Sequence, residues 1–275
     1  MAAALLRAPI PVLLAGFLQS AYLLRKKPWS KDVRGAWAVR GIDVTRPTTG
    51  STLLLFAYRA TAALFILVVG VSELQDRGMD AFKYYTVWNW WLLGAYFTLA
   101  AAASFSALQR ERPNPERRVS RLEHAVVVLF HVNLTTVVVV DVLTWTVLWP
   151  IMRSHPDPTL VAAFRDIMFS FTSCSQHGIN GLLMLAELLL NNITFMPYMM
   201  GYVSLWSSAY SVWTMYYYLT TSHWLYPFLD AMQSWSPAAY LGMFILHWAF
   251  FGSKAEVAGR LVIQLSTKQD PGSGT

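Results

Sequence analysis

The sequence predicts an all-α fold, a polytopic transmembrane helical bundle of about seven spans, and three observations predict it. Hydrophobic residues make up 55% of the 275 positions and charged residues only 13%, where ordinary globular domains carry about a quarter charged residues. Seven apolar runs approach the roughly 20 residues needed to cross a hydrocarbon core. Finally, Lys and Arg gather between the runs rather than along one continuous stripe. The net charge of +6 therefore reads as topology, and nucleic acid is not an expected partner.

The runs, in order, are Ala3–Leu24, Ser51–Val71, Tyr84–Leu108, Ala125–Trp149, Ile167–Leu190, Met199–Thr220 and Pro237–Gly252. The first has the cast of a cleaved signal, because an apolar stretch follows Arg7. The block Arg25, Lys26, Lys27 directly after it resembles a stop-transfer flank and favours an anchor. Burial at the interface without spanning would leave six spans.

Charge sets the orientation. The 25–50 loop carries Arg25, Lys26, Lys27, Lys31, Arg34, Arg40 and Arg46, and the 109–122 loop carries Arg110, Arg112, Arg117, Arg118 and Arg121. With the 253–275 tail, which holds Lys254, Arg260 and Lys268, these fall on one side of a seven-span chain, the cytoplasmic side. The links Glu73–Asp80 and Met152–Asp166 fall on the other, as does the N-terminus. Residues 1–275 thus form one integral membrane domain. The sequons at Asn133 and Asn192 lie in a span and in a cytoplasmic loop, so neither is expected to carry a glycan. "PGSGT" reads as a short disordered tail. Trp88, Trp90, Trp91, Trp145, Trp149, Tyr216, Tyr217, Tyr218, Trp224 and Tyr226 crowd the span ends as an aromatic belt.

Polar residues inside the spans are the functional clue. Asp166, Ser170, Ser173, His177, Asn180, Met184 and Glu187 recur at spacings of three and four, one stripe of one helix. Ionisable groups at membrane depth turn toward the bundle interior, so the stripe faces inward. His124, His131 and Thr135 share a face of the fourth run, with Glu123 and Asp141 on an adjoining one and Asn133 elsewhere. Arg59, Asn89, Ser204, Ser208, Ser211 and His247 complete the set. Arg59, Asn89, Asp141, Asn180 and Glu187 are expected to form a buried polar core, with Asp141 or Glu187 pairing Arg59.

Three functions compete with a purely structural hydrogen-bond network: a histidine general base activating a Ser or Thr hydroxyl, a proton or solute path, and lipid binding. No Walker-type loop, GxGxxG, HExxH or internal repeat occurs, and no cofactor or metal is expected. The single cysteine, Cys174, forms no intrachain disulfide and is an unpromising nucleophile in apolar surroundings.

"AYRATAALF" at Ala57–Phe65, "FKYYTVWNWWLLGAYF" at Phe82–Phe97, "HGINGLLMLAELLLNN" at His177–Asn192 and "YPFLD" at Tyr226–Asp230 together resemble the rolling-stone-like proteins, over roughly Leu53 to Phe251. That resemblance implies a eukaryotic multi-pass helical protein, associated in insects with myoblast fusion and without an established biochemical activity. It makes membrane organisation, adhesion or lipid binding the leading expectation. Membrane lipids, further copies of the chain or other membrane proteins would be the partners.

A more distant resemblance is to the androgen-induced family of integral-membrane hydrolases, which cleave fatty acid esters of hydroxy fatty acids. That family's H-G-x-H-T motif meets His177-Gly178-Ile179-Asn180-Gly181 here, and its W-x-Y-P-F-L-E phrase meets Trp224 to Asp230. The motif's second, catalytic histidine falls on Asn180, and the catalytic threonine falls on Leu55, with Thr52 the nearest hydroxyl. Asparagine does not accept a proton at neutral pH, so an ester hydrolase would need a displaced pair. The candidates are His177 or His131 as base and Thr52 or Ser173 as nucleophile, Ser173 lying one helical turn before His177. A transporter or proton path ranks third, since no repeat halves are visible.

Overall fold

The computed structural model describes residues 9–25, 44–48, 50–110 and 119–269, with the side chains of 253–269 excepted. Its helices are α1 (Pro9–Arg25), α2 (Thr52–Arg77), α3 (Tyr85–Leu108), α4 (Arg121–Leu143), α5 (Trp149–Arg153), α6 (Pro158–Met168), α7 (Phe171–Cys174), α8 (Asn180–Leu190), α9 (Met200–Thr221) and α10 (Ser236–Gln269). No strand interrupts them among the described residues. The basic positions 26–40, Arg112, Arg117, Arg118 and the "PGSGT" ending lie outside the described residues.

Among the described residues, three helices are long and apolar enough to cross a membrane: Thr52–Lys83, Tyr85–Leu108 and Arg121–Arg153. The other expected runs differ for identifiable reasons. α1 is apolar but has 17 residues. The fifth run is divided: α6 stops at Met168, Ser170 caps α7 by accepting from the Ser173 N–H, and the π-helical turn Ser175–Ile179 precedes α8. α9 is long but diluted by serines and tyrosines. α10 runs past Gly252, where the apolar stretch ends, to Gln269.

Two links are also more structured than expected. Glu73 belongs to α2, which ends at Gly78 with φ +60°, a conformation suited to glycine. The link Met152–Asp166 contains the short helix α6, begun by Asp157, whose carboxylate accepts from the Thr159 N–H at 2.8 Å. Hydrogen bonds to the Thr159 hydroxyl and backbone hold the Asp157 carboxyl below the usual carboxylate range.

Charged side chains at membrane depth turn inward, and leucine-rich faces are left exposed. On α2, Leu55, Arg59, Ala62, Ile66, Val69 and Glu73 are buried at three- and four-residue spacing, while Leu53, Leu64, Leu67 and Val68 are exposed. Such a helix suits lipid, which solvates the leucines and cannot solvate the arginine. The interior joins Ile66, Leu93, Phe97, Phe130, Met184 and Val203 in one cluster.

Small residues set the spacing. A Cβ at Gly70 would come within 3.0–3.1 Å of the Trp91 and Trp90 rings. Trp90, expected in the belt, is instead a core residue that donates to the Ile66 carbonyl at 3.0 Å. α1 packs antiparallel to α9, with Gly16 opposite Ser208 and Leu24 opposite Gly201. Gln19 ties it in, donating to Ser204 Oγ and accepting from Trp248 Nε1.

Candidate functional site

The polar residues form four clusters at different depths. In the first, Arg59 is held between α2, α3 and α8. Its Nε donates to Glu187 at 3.0 Å, its Nη2 at 2.5 Å, and its Nη1 donates to Ser104 Oγ at 2.7 Å and the Val44 carbonyl at 2.9 Å. Tyr96 and Asn191 also donate to Glu187, at 2.8 and 3.0 Å. Both charged side chains are fully buried. Of the two carboxylates expected to pair Arg59, the structure selects Glu187. With every oxygen and most N–H groups satisfied, this is a locked pair.

The second cluster closes the opposite end of α2. Gln176 donates to Glu73 at 2.6 Å, and Arg77 approaches the same carboxylate at 3.1 Å. The third joins α4 to the divided fifth run. Asn180 donates to Asp141 at 3.0 Å and accepts the Gly181 N–H at 2.8 Å. His177, at φ −128° within the π turn, faces Thr144, with Nδ1 and Oγ1 at 3.1 Å. Trp145 donates to the His177 carbonyl. Asp166, expected on the same stripe, is exposed on α6 and pairs with Arg165. The break at Ser170 turns it out of line.

The four catalytic candidates are not brought together. Thr52 starts α2, and about 30 Å of helix separates it from Glu73 at 1.5 Å per residue, while Glu73 lies beside Gln176 and hence His177. Ser173 is buried and engages Ser170 through its backbone N–H. His131 holds backbone: Nδ1 meets the Val127 carbonyl at 2.7 Å and Nε2 accepts the Met196 N–H at 3.1 Å. Phe130, Phe195 and Phe251 surround its ring. Asn89 bridges helices, donating to Tyr85 O and accepting from Trp206. Asn133 is buried and donates to the Leu129 carbonyl, and Asn192 donates to Pro47 O. Among the described residues no cluster of three His, Cys, Asp or Glu is placed to hold a metal.

The fourth cluster borders a partly open cavity of about 130 Å³ between α1, α4, α9 and α10. Its walls are mostly apolar, with Val12, Leu13, Val140, Met200 and Met243 among them, and α9 contributes Ser204, Ser207, Ser208 and Ser211 along its length. Tyr85, Tyr226 and His247 also line it, as does Thr144, the partner of His177. Ser207 Oγ is 3.0 Å from His247 Nε2 and 2.9 Å from the Tyr85 hydroxyl. His247 was legible only as a polar residue in an apolar run, and Ser207 among several serines. Nothing in their spacing, 40 positions apart, signals the contact.

A family model described as FAR-17a/AIG1-like protein matches residues 54–255. The chain belongs to the FAR-17a/AIG1-like family. AIG1 stands for androgen-induced gene 1, so the match falls on the resemblance read as the more distant one and makes this a membrane protein of that family. No curated protein and no solved structure matches the chain. The FAR-17a/AIG1-like match covers α2 through the apolar part of α10, and leaves α1, which completes the cavity, outside it.

Proposed function

We propose that the chain is an integral multi-pass membrane protein that binds a lipid through the cavity between α1, α4, α9 and α10. Seven crossings are supported by the four further apolar segments and by the alternation of basic and non-basic links. The kinship with rolling-stone-like proteins rests on the four sequence phrases and suits a role in membrane organisation. Arg59, Asn89, Asp141, Asn180 and Glu187 serve as the polar scaffold that fixes the helices around the cavity.

The observation that carries the reading is the cavity's lining, predominantly apolar with a set of hydroxyl groups along α9. Its volume is close to the roughly 150 Å³ at which an apolar cavity accepts a six-carbon ring. It therefore suits the first carbons of an acyl chain, with the remainder in the bilayer. Native mass spectrometry of protein released from nanodiscs should detect a bound single-chain lipid. Val140→Trp, which fills the cavity, should abolish it, and equal lipid in both proteins would overturn the reading.

A second reading, lipid ester hydrolysis, is favoured by two hydroxyl–imidazole contacts at the cavity, Thr144 with His177 and Ser207 with His247. Release of fatty acid from a long-chain ester by the purified protein tests it.

A further inference from the structure

The geometry of the Ser207–His247 contact in the cavity wall points to Ser207 as a nucleophile and His247 as its general base, acting on the ester bond of a long-chain lipid. This deepens the hydrolase reading and rests on lipid entering the cavity.

The proton positions follow from the hydrogen bonds. His247 Nδ1 lies 2.7 Å from the Met243 carbonyl, which can only accept. Nδ1 therefore carries the hydrogen, and in the neutral ring Nε2 offers its lone pair. Ser207 Oγ, 3.0 Å away, must then donate to Nε2. Its remaining contact, with the Tyr85 hydroxyl at 2.9 Å, is one in which Tyr85 donates. The result is a serine whose proton is already aimed at a base, and a base oriented by a third group.

The Thr144–His177 contact lacks these features. His177 meets Thr144 through Nδ1 and does not itself line the cavity. Ser207 and His247 both do.

Ser207 lies one turn from Tyr210, whose hydroxyl donates to the Lys83 carbonyl on the link between α2 and α3. The Tyr85 hydroxyl that meets Ser207 belongs to the first residue of α3, next to the same link. The pair therefore sits at the level where α3 begins.

In the reaction, the Ser207 hydroxyl proton passes to His247 Nε2 as Oγ bonds to the acyl carbon. The ester C–O bond breaks, and the leaving alkoxide takes the proton from Nε2. Water then gives a proton to His247 and adds to the acyl carbon. The acid departs, and Ser207 recovers its proton. Tyr85 acts as a positioning residue.

The test uses the full chain in nanodiscs with a hexadecyl fluorophosphonate, followed by peptide mass spectrometry, alongside lipid binding by native mass spectrometry. The expected adduct is on Ser207. His247→Gln should slow its formation about 100-fold, and Ser207→Ala should eliminate it. Ser207→Thr, which keeps a hydroxyl, should retain slow labelling. An adduct on Thr144 would overturn the Ser207 assignment and leave the hydrolase reading standing. Lipid bound without any adduct would overturn both, and failure of lipid binding would overturn the cavity reading itself.

Discussion

Asn180 donates its side-chain amide to the Asp141 carboxylate at 3.0 Å, and Gly181 leaves the space that the carboxylate occupies. A Cβ at position 181 would lie 3.0 Å from Asp141 Oδ2. The two motif positions that depart from the androgen-induced pattern are thus the two that accommodate this carboxylate. Asparagine supplies the donor and glycine the room.

Gly181→Ala should therefore behave differently in two backgrounds. In the Asp141→Ala protein the substitution should stabilise by about 0.5–1 kcal/mol, the helix-propensity gain. With Asp141 present the gain should vanish or reverse. Thermal unfolding in detergent across the double-mutant cycle measures the coupling.

The Arg59–Glu187 pair predicts large single effects that do not add. Arg59→Ala or Glu187→Ala should each destabilise by about 3–5 kcal/mol, because the remaining charge stays buried without its partner. Arg59→Met combined with Glu187→Leu should be milder than the sum. Denaturant titrations of the three variants decide this, and additive losses would show that the charges act separately.

His131 is expected to matter for stability and not for chemistry. His131→Phe keeps the ring among Phe130, Phe195 and Phe251 but removes the acceptor for the Met196 N–H. A buried N–H without a partner costs about 1–3 kcal/mol. Faster hydrogen exchange at Met196, with lipid binding unchanged, is the expected signature.

Asp157 gives a pH signature at the surface. Its carboxyl is held below the ordinary range by Thr159, so its contribution to α6 is present above the unfolded value and lost as pH falls through the folded one. Exchange of the α6 amides should therefore quicken in that acid window in the wild type. In Asp157→Ala it should already be fast at neutral pH.

The bundle was legible in the sequence because its signal is redundant. Apolar length and the inward stripe Ser173, His177, Asn180 and Glu187 both follow from composition and periodicity. The choice of Glu187 over Asp141 for Arg59 was not legible, since both lie at suitable spacing and only helix placement decides between them. The stripe's failure at Asp166 traces to a capping serine, which reads in sequence like any other polar residue. The Ser207–His247 contact was hidden for a different reason. It depends on how α9 and α10 are rotated against each other, and periodicity within one helix carries no such information.

The π turn at Ser175–Ile179 has a consequence for tolerance to mutation. It contains one residue more than an α-helical turn would use. The wide turn absorbs that residue, so deleting it would let the segment rewind as ordinary helix with Asn180 still facing Asp141 and Glu187 still facing Arg59. One turn further on, between Asn180 and Glu187, the helix has no such slack. A single-codon deletion there would rotate Glu187 by about 100° and part it from Arg59.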